Sequence, residues 1–425
     1  MHTDVIIHDE LIVHELFADD LYLLADKDTN SQRQLDGLSR FSKPNQMLAN
    51  TVKTKVMLYG KNCQKNIKLY LDGEQIEQVE KYKSLGMIFN SVQKVNENMF
   101  RYNNEYLNNK ARGAIFGIQK KIRHTGTLPI NHSFYLYETI VEPIMIYGSD
   151  VWGAYAQCTK DINSVFLWFV RCHLNIKATT CNIITIGEAG MIPPKIKCHE
   201  NVIINFVRLN SMLEDSIVKK VFNELIYLHH MGFRSWISRV LELGKTYGID
   251  IMTLKYSMNT KKYIKTTLRN YFINAWRSDL KDTERYPLLR TYNLFKYEFG
   301  SEIYLNLVSN PKYRAALSKF RCSSHTLEIE RGRYTIPVTP VDKRLCQVCH
   351  EIEDEIHFLL QCPLYSTERQ KLIKNVCQII PNFENTSLLD QFITLLRCKN
   401  GRVLSLLGKF IFTSFEIRSR FFYPN

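Results

Sequence analysis

Several marks of large protein classes are missing from this sequence. The N-terminus has no basic stretch leading into an apolar run, so no secretory signal is expected from it. No apolar run reaches spanning length; Phe134–Trp152 is broken by Glu138, Glu142 and Asp150. The eleven cysteines are scattered, without the spacing of a small secreted disulfide domain. No internal repeat or low-complexity tract is present. These absences lead us to expect an intracellular chain, nuclear or cytosolic, with reduced thiols and no membrane partner.

What is present suits a folded, basic protein. The 425 residues are 45% apolar and 12% aromatic, enough for two to four units sharing cores. The net charge is +14 and the pI about 9.1. Such an excess favours polyanionic partners, RNA and DNA first, because lysines and arginines release counterions condensed on phosphates. A merely soluble basic protein would have the same count. The charge is uneven, however. Residues 1–30 hold eight acids against Lys27 alone, a net of −7, which leaves +21 on the rest.

The pattern predicts an α+β chain. In residues 1–95, Val5–Ile7 and Leu11–Phe17 flank a polar His8-Asp9-Glu10 turn and Leu21–Ala25 follows Asp19-Asp20, the pattern of short strands joined by acidic turns. Leu35, Leu38 and Phe41 recur at helical spacing. Lys55–Tyr59, Ile67–Leu71 and Leu85–Phe89 read as further strands, with a turn at Asp72-Gly73. From about Asn96 to Lys319 the pattern is mainly helical, with ends expected at Pro129, Pro143, Pro193-Pro194 and Pro287. Arg331–Arg344 reads as an irregular connector. A Cys/His segment follows, then a helical tail with Leu389, Phe392, Leu395 and Leu396 on one face.

Two constellations carry chemistry. Phe17-Ala18-Asp19-Asp20 puts adjacent carboxylates at a hairpin tip, where a tight turn can present oxygens to a divalent metal such as Mg²⁺. Solvated acids at a turn would look the same. Cys346-x2-Cys349-x7-His357-x4-Cys362 gathers four soft or borderline ligands within seventeen residues, the chemistry of a closed, structural Zn²⁺ site. His350 is a competing ligand there and His325 a remote one. Residues 255–314 add twelve basic side chains against five acids, with tyrosines and Trp276 interleaved, a composition open to base stacking or to an ordinary helical core.

The string ELFADDLYLLAD (Glu15–Asp26) resembles the aromatic-x-Asp-Asp motif of reverse transcriptases from non-LTR (LINE-type) retrotransposons, and the likeness continues in order. Asn50-x-x-Lys53-Thr54-Lys55 is similar to the next palm motif. KYKSLGMIF (Lys81–Phe89) resembles the primer-grip strand, with Ser84 where the family usually has Tyr. NNKARGAIFGIQKKI (Asn108–Ile122) resembles the thumb, and YETIVEPIMIYGSDVWG (Tyr137–Gly153) its continuation. Ile329–Tyr365 is similar to the Cys-Cys-His-Cys region that follows many such polymerases.

The resemblance implies roles. Asp19 and Asp20 would bind polymerase Mg²⁺, and Lys53 would sit near the incoming nucleotide's phosphates, unless it is a plain surface lysine. Lys110, Arg112, Lys120, Lys121 and Arg123 would lie along a duplex backbone, and Arg333 would contact phosphate or belong to a solvated loop. The implied organisation is a partial palm at 1–95, thumb-like helices at 96–155, a basic helical linker domain at 156–330, a zinc-binding segment at 331–370 and a helical tail at 371–425. The family's fingers and third palm aspartate lie upstream of the Asp-Asp motif, so the expectation is a C-terminal fragment that is inactive alone and complemented by an upstream half. A non-catalytic nucleic-acid-binding zinc protein is the alternative.

Overall fold

The computed structural model describes all residues except 1–5, 8–9, 12–13, 61–65, 92–98, 126–127 and 423–425, and gives only the backbone of residues 6, 7, 10, 11 and 122–125. The expected α+β class holds: the chain is mainly helical, with a few small sheets near its N-terminus. Two compact units are built from interleaved segments. Unit 1 comprises Met1–Ala111, Ile144–Ile162 and Pro194–Leu268; unit 2 comprises Arg112–Pro143, Asn163–Pro193 and Arg269–Asn425. Among the described residues, no helix is long and apolar enough to cross a membrane.

In unit 1, β1 (Ile6–Ile7) pairs with β2 (Glu10–Leu11), so Glu10 lies in a strand rather than in the expected turn. β3 (His14–Phe17) and β4 (Asp20–Leu23) form the acidic hairpin, with Phe17 opposite Asp20. Helix α1 (Asp28–Ser42) follows. Its Leu35 is buried with Leu69, Leu71 and Ile76, and Leu23 and Leu38 pack against that core. Phe41 is 61% exposed, so the helix buries a narrower stripe than its spacing predicts.

The strands around that core are shorter than their apolar runs. β5 (Lys55–Val56) lies parallel to β7 (Glu74–Gln78), which pairs antiparallel with β6 (Leu69–Leu71) through the expected turn at Asp72-Gly73. On the edge of β6, the Gln32 amide accepts from Tyr70 N at 2.9 Å and donates to Tyr70 O at 2.8 Å, standing in for a missing strand.

The last hairpin corrects one expectation. β8 (Lys81–Ser84) and β9 (Met87–Asn90) flank Leu85-Gly86, so Leu85 is a turn residue and not the start of a strand. Both turn residues have positive φ, 47° and 83°, the conformation of a two-residue turn that matches strand twist. Apolarity alone masked this turn.

Helix α2 (Arg101–Thr125) belongs in part to each unit. Pro129 precedes the helix Ile130–Leu136, Pro194 opens Pro194–Asn210, and Pro287 opens a short 3₁₀ turn, as expected. Pro143 is different, since it lies inside the helix Glu142–Met145. A π-turn at Tyr137–Val141 precedes it and widens the backbone where the ring would otherwise press on the preceding turn.

Unit 2 is organised around buried charge that no local pattern announces. Arg321 is fully buried and donates to Glu188 at 2.5 Å and to Glu302 at 2.6 Å, while Lys296 donates to Glu302 at 2.5 Å. Burial alone would disfavour the guanidinium; Glu188 and Glu302 more than compensate and raise its pKa. Removing one member would strand a buried charge, at a cost of about 3–5 kcal/mol. Trp276 is core too, its indole donating to Ile183 O at 2.9 Å, which withdraws it from base stacking. In the tail helix Leu388–Arg397, Phe392, Leu395 and Leu396 are buried, but Leu389 is 44% exposed.

Candidate functional site

The acidic hairpin of unit 1 is built as the sequence predicts. Leu23 anchors its base in the α1 core, and Ala18 turns the tip with a φ of 53°. A left-handed alanine costs on the order of 1 kcal/mol, and here it aims Asp19 and Asp20 outward. Both carboxylates are exposed. Among the described residues, no third acid, histidine or cysteine joins them in a metal-sized group; the side chains of Asp4, Asp9 and Glu10 lie outside those residues.

Strand β8 is where the distant motifs meet. Side chains alternate along a strand, so Tyr82 and Ser84 share one face and Lys81 and Lys83 the other. On the first face, Ser84 Oγ and Tyr22 Oη of the acidic hairpin are hydrogen-bonded. Two residues earlier, Tyr82 Oη donates to Lys53 O at 3.3 Å. Lys53 is exposed on a turn whose backbone is held by Asn50, and its own N–H donates to Asn50 Oδ1 at 2.9 Å.

The second face is basic and aromatic. Lys81 Nζ lies 5.2 Å from the Tyr102 ring centre, with Arg101 on the same ring at 6.0 Å. Lys83 and Lys110 lie 5.0 and 4.8 Å from the Tyr106 ring. Lys110 and then Lys83 hold the Tyr106 phenol below its usual pKa. The β8–β9 turn is gripped as well. Tyr147 Oη donates to Leu85 O at 2.8 Å, and a Cβ on Gly148 would fall 2.5 Å from Met87 Sδ. Gly148 has a φ of 68°, so glycine is favoured there by backbone conformation, while the flexible Met87 side chain would have to shift to admit a Cβ.

The remaining expected contacts divide. Lys120 and Lys121 are exposed on α2, and Arg112 lies over the Trp168 ring at 5.4 Å. The side chain of Arg123 lies outside the described residues. Arg333 is largely covered: its Nε lies 3.0 Å from Glu330 Oε2, and its Nη2 donates to Pro287 O at 3.0 Å. Its charge is committed inside the fold.

In unit 2, Cys346, Cys349, His357 and Cys362 converge, with one ligand atom from each within 4.8 Å of every other. Cys346 Sγ–Cys362 Sγ is 3.9 Å and Cys349 Sγ–His357 Nε2 is 3.2 Å. A tetrahedron with zinc–ligand bonds of about 2.0–2.3 Å has edges of roughly 3.3–3.8 Å, so the group fits a small tetrahedral cation such as zinc. The local backbone makes this geometry. His350 N returns to Cys346 O at 2.9 Å with His350 left-handed, which forms the knuckle of the first pair. Asp354 caps the second element by accepting from His357 N at 2.8 Å, and a π-turn carries His357 round to Cys362, where Pro363 ends it. Arg369 donates to Cys362 O at 2.7 Å and to Leu359 O at 2.9 Å, locking that turn.

Burial pushes the Cys362 thiol up to about 12, raises that of Cys349 and lowers the pKa of His357. A metal would therefore displace thiol protons on binding. The two competing histidines are elsewhere: His350 is exposed, and His325 bonds Glu355 at 3.0 Å. Sequence reading missed the supports of both sites. The Lys-Tyr-Lys-Ser alternation of β8 carried a usable signal; the Arg369 clamp carried none. No family model and no curated protein matches the sequence.

Proposed function

We propose that this chain is the C-terminal part of an RNA-directed DNA polymerase of the non-LTR retrotransposon type, with a structural zinc segment, and that it does not extend primers alone. What supports this is the convergence on one hairpin. Tyr22, Lys53, Tyr147 and Lys110 belong to four motifs spread over more than a hundred residues, and each lies at β8–β9 or at an aromatic ring beside it. Unrelated motif matches would have no reason to share one support. In this reading Asp19 and Asp20 hold Mg²⁺ together with a carboxylate supplied by an upstream half, and the lysines contact the nucleic-acid backbone.

The test is primer extension on an RNA template with Mg²⁺. The chain alone should incorporate no more nucleotide than its Asp19→Asn, Asp20→Asn variant. Fused to the upstream half of a related polymerase, it should extend in a way that Asp19→Asn abolishes. A correctly folded fusion with no Asp19-dependent extension would sink the proposal.

A second reading, a non-catalytic nucleic-acid-binding protein, is favoured by the basic and aromatic face of β8. It predicts salt-sensitive RNA or DNA binding that Asp19→Asn leaves unchanged and that Lys81→Ala, Lys83→Ala weakens, with the salt slope reduced by about 1–2.

A further inference from the structure

Unit 2 contains a cavity of about 470 Å³ lined by His325, Thr326, Glu330, Arg331 and Tyr334, the end of the C-terminal helix Gly401–Phe422, and Lys177. We infer that it binds a single nucleotide, with the phosphate on Lys177 and Arg331 and the base on Tyr334 and Phe415. The inference does not rest on the polymerase reading, because none of these residues belongs to the acidic hairpin or to β8.

Most of the charge around the cavity is already paired. Glu330 lines the cavity, but its oxygens are taken by Arg290 at 3.2 Å and Arg333 at 3.0 Å. Arg418 is neutralised by Glu353, through two hydrogen bonds of 2.9 and 2.7 Å. Lys177 has no such partner. Its ammonium donates to His325 O at 2.8 Å, and no carboxylate lies within ion-pairing distance among the described residues. Arg331 is half exposed and meets Glu328 at 3.3 Å, an acid that also lies 3.7 Å from Arg418. The cavity therefore faces a ligand with surplus positive charge.

Its apolar parts are planar. Tyr334 is 63% exposed beside the cations. Phe415 is held between rings, with Phe358 stacked at 4.6 Å and 27° and the cavity-lining His325 offset at 6.3 Å and 25°, which makes it a rigid aromatic wall. The exposed hydroxyl residues Thr326 and Ser419 complete the lining. A bare phosphate or a phosphorylated peptide would use the cations and leave the rings idle. A nucleotide uses both, and its size suits a cavity in the roughly 300–1,000 Å³ range of small-ligand sites. The nucleotide could be free or part of a single strand, since both present the same groups.

The experiment uses the full chain loaded with zinc, titrated with AMP, adenosine and inorganic phosphate. AMP should bind saturably, at least about tenfold tighter than either half alone. Tyr334→Ala and Lys177→Ala should each weaken AMP by about tenfold. Should Lys177→Ala not fold, Lys177→Gln removes the charge and keeps a donor for His325 O. A short single-stranded oligonucleotide that competes with AMP would identify the nucleotide as part of a strand; AMP binding without competition would identify it as free. Both outcomes uphold the site. Absence of saturable AMP binding, equal affinity for phosphate alone, or folded variants that bind AMP normally would overturn it.

Discussion

Tyr22 Oη and Ser84 Oγ are hydrogen-bonded across 62 residues of sequence, which fastens the acidic hairpin to β8. Ser84 is buried, so losing its partner costs more than losing an exposed contact. Tyr22→Phe and Ser84→Ala should each destabilise unit 1 by about 1 kcal/mol, and a double-mutant cycle in urea should return a coupling of about 0.5–1.5 kcal/mol. Strictly additive losses would mean that the two side chains do not meet in solution.

The turn between β8 and β9 offers a change in the opposite direction. Leu85 is 45% exposed with a φ of 47°, a conformation that asparagine tolerates far better than leucine. Leu85→Asn should raise stability by about 0.5–1 kcal/mol, because the Tyr147 bond is to the backbone and survives. Gly86→Ala should lose at least about 1 kcal/mol, since its φ is 83° and a Cβ would sit 3.1 Å from the Tyr147 ring. Equal melting curves for the two variants would contradict this turn geometry.

Purified chain should carry one zinc ion, and Cys349→Ala or Cys362→Ala should abolish it, while His350→Ala should not. Native mass spectrometry reads this directly. Because burial holds the Cys362 thiol protonated, zinc uptake should release protons and weaken as pH falls. A chelator should lower the melting temperature of the wild-type chain and leave that of the cysteine variants unchanged. Zinc retained after loss of Cys362 would point to a different ligand set.

His199 predicts an acid-side loss of stability in unit 1. Burial, reinforced by Lys195, lowers its imidazole from 6.5 to about 3, and Nδ1 lies 2.6 Å from Tyr247 Oη. The folded state resists the proton that the unfolded chain accepts. The contribution is therefore whole above pH 6.5 and falls as the pH drops toward 3, by about 2 kcal/mol at pH 5. Urea midpoints measured from pH 7.5 to 5 should fall for the wild type and flatten in His199→Gln. Identical pH profiles would remove this histidine from the account.

How far the sequence could be read depended on the range of the interaction. The hairpin at Phe17–Asp20 and the Cys/His group were legible because turn chemistry and ligand spacing are local. The Leu85-Gly86 turn was hidden because its first residue is apolar, and Pro143 misled because the π-turn before it left no mark in composition. Arg333, expected on phosphate or in a solvated loop, is instead held by Glu330 three residues away, and the same Glu330 holds Arg290 from forty residues off, a pairing that only the tertiary fold creates. The Glu188–Arg321 pair joins positions 133 residues apart and has no local signature at all.

The alternation of β8 makes its alignment against β9 intolerant of length changes. Inserting or deleting one residue between Lys81 and Ser84 would exchange the two sides of the strand, turning the ammonium groups toward the acidic hairpin and the hydroxyls toward the aromatic rings of α2. A frame-preserving indel at this point should therefore do more damage than any single substitution in the strand, because it would uncouple four separate parts of the chain at once.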